Sequence, residues 1–417
     1  MKRRSAIAQA LDAAVNIRSA VQAVLLSTTT RSAVFYALVG IGFSGAHLLL
    51  AKFLPTLEYA TIALAVAILS LTREFAPLGA KGVILRHRLL PDRDMLIRVS
   101  VLSTLIGATV ATGAAALYEF KAPLAILVFM GSVTGGLTTV AAAFFQSRQE
   151  FTSAMLLTQS NNLFFLIAGI VAVSLRVHDA WFTLGILVLG YCGTSAWAWH
   201  RLLGEARVSK SEATNYPWRE ALSYMSVTGA VLFLLQAERL LIPKMLSLED
   251  LATFGVLAAI VMAPYRTLQM AANLTVVPRL RAAETVSQRR RLLAREALML
   301  TALIVAGGTF LFWLTPWLVD VIYRGKFDIS RNLIIAGIAV GSLKAYCGLA
   351  MASATALCPT RQLALLGSLV WFAVVIAAFG ATLGSAWGLT GLVLGIGAGW
   401  LLQLVMYACL AAGHLKY

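Results

Sequence analysis

Charge is scarce in this chain. Only 12% of its 417 residues are Asp, Glu, Lys or Arg, about half of the roughly 25% found in soluble domains. A soluble fold of this length needs more charge to cover its surface, so a soluble enzyme and a disordered chain are excluded. Cysteine is scarce too. Cys192, Cys347, Cys358 and Cys409 lie in or at the ends of apolar runs, and no two have CxxC spacing. They read as packing residues, which excludes a disulfide scaffold. The five histidines, His47, His87, His178, His200 and His414, lack metal-ligand spacing. No GxxxxGK[ST], HExxH or GxSxG motif occurs, so nothing points to a nucleotide-driven motor or a hydrolase. No metal and no cofactor is expected.

Acidic residues are the scarcer sign, 18 against 34 basic ones, for a net charge of +16. In a soluble protein that excess would suggest nucleic acid, but no motif of a nucleic-acid module is present. Membrane proteins instead concentrate Lys and Arg in cytoplasmic loops. Nucleic acid is therefore not an expected partner.

What the chain has in abundance is apolar sequence. Hydrophobic residues make up 59%, and the mean hydropathy is +0.82. The apolar runs are about 20 residues long, the length a helix needs to cross roughly 30 Å of hydrocarbon. The short alternating segments of a membrane β-barrel are missing. The fold class is thus an all-α polytopic membrane protein. About twelve spans are predicted, at 34–52, 59–79, 97–118, 122–144, 153–175, 180–199, 221–243, 252–277, 297–318, 332–356, 362–384 and 387–411. Residues 1–33 hold Ile7, Leu11, Ala14, Val21 and Leu25 at helical spacing, with Arg4, Asp12 and Arg18 off that stripe. They read as a basic amphipathic helix on the membrane surface. With the N-terminus in the cytoplasm, about 23 basic residues face that side and about 7 the other, which places both termini inside.

The chain reads as a duplication. Lys52 to Thr61 can be laid without a gap on Lys244 to Thr253, so that Leu54 meets Leu246, Glu58 meets Asp250 and Ala60 meets Ala252. On the same alignment His47 falls opposite Arg239. Six spans per half makes the repeats parallel, a plan common among secondary transporters. The expected organisation is an N-lobe over 34–203, a cytoplasmic linker over 204–219, a C-lobe over 220–411 and a tail over 412–417, the two lobes being pseudo-symmetric six-helix units.

Six charges fall inside the spans: Arg73, Glu74, Glu238, Arg239, Arg266 and Lys344. Each costs about 2.5–3.5 kcal/mol at the bilayer centre, so most should face the bundle interior. Arg266, Lys344, Arg239 and Arg73, with Gln269, Asn161 and Asn162, are candidate substrate-cavity residues. Glu74, Glu238 and His47 are candidates for ion coupling. A structural reading stands beside this one. The charges could pair between helices merely to hold the bundle, with Arg266 neutralising Glu238, and Arg73 could snorkel to the interface. Adjacent residues such as Arg73 and Glu74 do not face each other on a helix. Pro264 should kink the span that carries Arg266. Gly391, Gly395 and Gly399 form a small-residue stripe suited to a tight helix contact, within the chain or in a dimer.

Leu54-Pro-Thr-Leu-Glu-Tyr-Ala60, Phe75-Ala-Pro-Leu-Gly79 and Arg86 resemble the first two spans of bacterial oligosaccharide flippases. Glu238-Arg239-Leu-Leu-Ile-Pro, Pro264, Val277-Pro278-Arg-Leu280 and Tyr323-Arg-Gly-Lys-Phe327 are similar to the second half of that family. These flippases belong to the multidrug/oligosaccharidyl-lipid/polysaccharide exporter superfamily. The resemblance implies a V-shaped pair of lobes, alternating access, and export of an undecaprenyl-pyrophosphate-linked oligosaccharide across the bacterial inner membrane for surface or exopolysaccharide assembly. It implies membrane lipids, a polysaccharide polymerase and a co-polymerase as partners. Two alternatives stay open: an ion-coupled small-molecule antiporter of the same fold, and a membrane enzyme of polysaccharide assembly. The short outside loops argue against the enzyme.

Overall fold

The structure, a computed structural model, describes residues 28–206 and 216–415. Most of the expected amphipathic segment, 1–27, and the central part of the expected linker, 207–215, lie outside the described residues. The elements are α1 (Thr28–Phe53), α2 (Thr56–Phe75), α3 (Ala80–His87), α4 (Arg93–Tyr118), α5 (Ala122–Ser147), α6 (Phe151–Ser174) and α7 (Ala180–Ala206). They continue with α8 (Trp218–Met245), α9 (Leu248–Leu257), a π-helical turn (Ala258–Met262), α10 (Ala263–Ala282), α11 (Val286–Tyr323), α12 (Arg331–Leu357), α13 (Thr360–Gly384), a 3-10 turn (Ser385–Trp387) and α14 (Gly388–His414). No strand occurs among the described residues.

Local chemistry sets the boundaries. Asp92, Ser247 and Ser330 cap the N-termini of α4, α9 and α12, each accepting from the backbone N–H three residues on. Thr285 and Gln288 form a reciprocal capping box at the start of α11. Arg88 and Arg324, both left-handed, end α3 and α11.

Among the described residues, ten helical stretches are long and apolar enough to cross a membrane. The last, Gly367–His414, covers two helices, and Leu38–Phe53 of α1 is a further, shorter apolar helix. Counted by helix, the twelve expected spans are α1, α2, α4–α8, α9–α10 and α11–α14, which makes this a multi-pass membrane protein. Several boundaries differ from expectation. Thr28 to Ala33, expected in the N-terminal segment, belong to α1, Trp218 and Arg219, expected in the linker, begin α8, and α11 starts at Val286 instead of 297. Gly204 to Ala206, expected in the linker, continue α7. The expected tail from 412 is helical as far as His414. The basic loop after α2 contains α3, whose eight residues are too few for a hydropathy signal.

The two sets of six spans pack alike. In the first, α1 meets α6, α2 meets α5, α4 meets α5, and α5, α6 and α7 meet one another. In the second, α8 meets α13, α10 meets α12, α11 meets α12, and α14 packs on both α12 and α13. The helix ends match the gapless repeat alignment: α1 stops at Phe53 where α8 stops at Met245, and α2 starts at Thr56 where α9 starts at Leu248. Across the halves, α2 packs on α8 and α9, while α1 packs on α9, the π-turn and α10.

The glycine stripe of α14 has its partner in the same chain. A methyl group on Gly395 would overlap the carbonyl oxygen of Gly380, and one on Gly391 the carbonyl of Gly384. α13 and α14 form an antiparallel hairpin with backbones in contact, so a dimer is not needed to explain the stripe.

Candidate functional site

A cavity of ≈ 380 Å³ lies between the two halves, walled by α1, α2, α6, α8, α9, the π-turn, α10 and α12. All ten residues singled out from the sequence line it: His47, Arg73, Glu74, Asn161, Asn162, Glu238, Arg239, Arg266, Gln269 and Lys344. Lipid cannot solvate these groups, and the helices are turned so that each reaches this shared polar space.

The charges divide into paired and unpaired. Lys344 of α12 donates to Glu238 Oε1 of α8 at 2.5 Å, and both residues are buried. Glu238 is thus held by Lys344 and not by Arg266. Glu74 accepts from Lys81 of α3 at 3.2 Å. Its other oxygen lies 3.9 Å from Arg73 Nε, so these sequence neighbours do approach each other, because both side chains are drawn into the same space. Arg73 is buried and donates to the Thr158 carbonyl of α6 at 3.1 Å; it does not snorkel. Both carboxylates of the cavity are therefore neutralised by lysines.

The remaining cations are less well matched. Arg239 donates to Gln236 Oε1 at 3.3 Å, and its Nε, although buried, has no acceptor. Arg266 is exposed to the cavity and makes no ion pair or hydrogen bond among the described residues. Both guanidinium groups line the same cavity. His47 stands beside them, its Nδ1 3.3 Å from the Tyr59 hydroxyl and its buried Nε2 without a partner. With four basic and two acidic residues, the lining is cationic.

Arg266 owes its position to an irregular helix. Pro264 lacks a backbone N–H, and its ring clashes with the carbonyl four residues back. The chain responds with the π-turn at Ala258–Met262, immediately before α10. The expected kink is therefore a widened turn, a form common at functional sites. Gln269, one turn beyond Arg266, packs against Gly348 of α12.

Sequence reasoning missed Ser44, Ser70, Gln159, Gln236 and Thr267, which also line the cavity. Each lies one to four residues from a residue already singled out. Gln159 accepts from Asn162 at 2.8 Å, one helical turn away. Extending each charged position along its helical face would have found most of them.

The two halves also touch at both ends of the bundle. At the end bearing the turn at 54–55, Tyr323 donates to the Leu48 carbonyl at 3.2 Å. Lys326 donates to the Ala51 carbonyl at 2.7 Å and to that of Leu54. These carbonyls lie in the last turns of α1 and just beyond its end, where a cation is favoured, and burial pushes the Lys326 ammonium below its ordinary pKa. At the basic end, Gly79, left-handed at φ +76°, lets its turn approach the Ala221 backbone of α8. There Arg86 bonds the Tyr224 hydroxyl at 3.2 Å and Glu220 at 3.1 Å, and His87 lies 2.9 Å from Glu220.

No protein-family model and no curated protein matches the sequence. Solved structures do match the fold. A multidrug resistance MATE family transporter of the MOP superfamily, in an inward-facing conformation, superposes with a TM-score of 0.65 at 14% identity, over 90% of this chain and 94% of that one. The lipid II flippase MurJ, inward closed, gives 0.64 at 13% identity, over 91% of this chain and 86% of that one. A MATE structure in the bent conformation gives 0.53 at 12% identity, over 94% and 96%. The chain shares its fold with these solved structures.

Proposed function

We propose that this protein is a flippase that exports a lipid-linked oligosaccharide across the bacterial inner membrane by alternating access, with both termini in the cytoplasm. The observation that carries the reading is the pair of arginines, Arg239 and Arg266, standing in a cationic cavity without a carboxylate bonded to either. Guanidinium forks match phosphate oxygens, and an undecaprenyl-pyrophosphate head group supplies such oxygens next to the sugar. At ≈ 380 Å³ the cavity has the size of a small-molecule pocket. It would hold the pyrophosphate and the adjoining sugar, and a longer saccharide requires the halves to spread. A cationic-drug antiporter is the weaker reading, because both cavity carboxylates already hold lysines.

The test uses proteoliposomes containing a dye-labelled, pyrophosphate-linked short oligosaccharide on a polyprenyl chain. Movement is scored by quenching from outside. Flipping well above protein-free vesicles is expected. Transport of cationic dyes without flipping would overturn the reading. The sequence has no nucleotide-binding motif, so an ion gradient is the proposed drive, with Glu74, Glu238 and His47 as the coupling groups. An imposed pH or sodium gradient should change the rate. Equal rates with and without gradients would mean passive scrambling. Orientation is read from cysteines placed at Ser330 and Ser287, of which only the first should react with an impermeant reagent in spheroplasts.

A further inference from the structure

Six arginines crowd the corner between α10 and α11, and four of them are structurally engaged. Arg279 pairs with Glu296 at 2.9 Å. Arg281 donates to the Thr355 carbonyl near the end of α12 at 3.4 Å, and Arg290 to the Leu415 carbonyl after α14 at 2.8 Å. Arg289 donates to the Ala283 carbonyl in its own corner at 3.0 Å. Arg291 and Arg295 differ. Both are exposed, and neither has a hydrogen bond or ion pair among the described residues.

These two arginines begin a continuous stripe along α11. Arg291, Arg295, Leu298, Ala302 and Val305 follow at spacings of three and four, and all are exposed. Leu298 is 73% exposed. On a spanning helix such an apolar stripe faces acyl chains. With a rise of 1.5 Å per residue, Arg295 stands about 5 Å and Arg291 about 10 Å above Leu298 along the axis. A long arginine side chain that far above an acyl-facing leucine extends toward the headgroups.

We propose that Arg291 and Arg295 form a binding site for an anionic phospholipid, whose phosphates they grip while its acyl chains lie along Leu298 and Val305. The argument is charge complementarity in register with an apolar track. Residues four apart on a helix have Cβ atoms about 5–6 Å apart, so two guanidinium forks can take the phosphates of one headgroup, each bidentate. The general bias of basic residues to one side explains why arginines sit at this end. It does not explain why the two without protein partners share the lipid-facing stripe. α11 contributes nothing to the cavity, so the proposal is independent of the transport reading.

The test is native mass spectrometry of the delipidated, full-length protein titrated with cardiolipin, an anionic lipid with two phosphates. Near an anionic surface each arginine contributes about fivefold in affinity. Arg291→Gln/Arg295→Gln should therefore weaken the tightest lipid about 25-fold. Arg291→Lys/Arg295→Lys keeps the charge and loses the forks, so it should fall in between, and it carries the test if the glutamine variant fails to insert. Arg88→Gln/Arg93→Gln removes the same charge elsewhere at the basic end and should leave the tightest lipid unaffected. Unchanged affinity in both Arg291/Arg295 variants would overturn the proposal. So would an equal loss in the Arg88/Arg93 variant. Displacement of cardiolipin by a polyprenyl pyrophosphate of higher affinity would assign the two arginines to substrate capture instead.

Discussion

Lys344 and Glu238 are 106 positions apart in sequence, yet Nζ and Oε1 meet at 2.5 Å and tie α12 to α8. The pair is buried against the Trp400 ring, 5.3 Å from the ammonium. A buried ion pair contributes little net stability, but removing one member strands the other charge at a cost of about 3–5 kcal/mol. Lys344→Met and Glu238→Gln should each lower the melting temperature of the purified protein, and the double variant should recover most of the loss. Additive losses would mean that the two residues act separately.

Arg266 makes no ion pair or hydrogen bond among the described residues, so Arg266→Ala should insert and accumulate like the parent. Losing a charge-assisted contact to a phosphate costs roughly 1.5–3 kcal/mol, a loss of affinity of about 10- to 150-fold. Flipping, normalised to protein in the membrane, should fall accordingly, with Arg266→Lys intermediate. Normal flipping by Arg266→Ala would remove the residue from the substrate path.

Lys326 fastens the second half to the end of α1. In a background without the native cysteines, a cysteine at Ser44, which lines the cavity, reports access from the Lys326 side. Lys326→Met deletes bonds to two carbonyls, and losing one charge-assisted bond of this kind shifts an equilibrium about 10- to 150-fold. Labelling by an impermeant reagent should speed up at least about tenfold. An unchanged rate would show that the lysine does not hold that end closed.

The hairpin of α13 and α14 predicts opposite signs for two similar substitutions. Gly395→Ala forces a methyl onto the Gly380 carbonyl and should destabilise by about 1–3 kcal/mol. Gly307→Ala, in α11, meets nothing within 4 Å, and should stabilise by roughly 0.5–1 kcal/mol through backbone entropy. Thermal melts in detergent distinguish them, and a shift of the same sign in both would refute the contact.

The spans were legible because hydrophobic runs of membrane length leave few choices. Polar residues inside those runs pointed to the interior for the same energetic reason, and the ten named ones surround one cavity. Which charge meets which was not legible. Glu238 could be matched to Arg266 or Lys344 from sequence alone, and helix rotation decides for Lys344. α3 escaped notice because Ala80–His87 carries three basic residues among its eight. The π-turn escaped because Pro264 signals a break without saying how the chain absorbs it.

That absorbed break has a consequence for the register between the two repeats. Up to Ala259 and Ile260 the halves align without a gap, opposite Ala67 and Ile68. Continued unchanged, the alignment would set Arg73 against Tyr265. A π-turn accommodates one extra residue, and each residue of an α-helix advances the face by about 100°. Counting that residue out sets Arg73 against Arg266, and both line the cavity. The widened turn thus restores a two-fold arrangement of arginines that the raw numbering conceals. Deleting one residue from Ala258–Met262 should convert the π-turn into ordinary α-helix and leave Arg266 facing the cavity opposite Arg73, whereas inserting a residue after it should rotate Arg266 away.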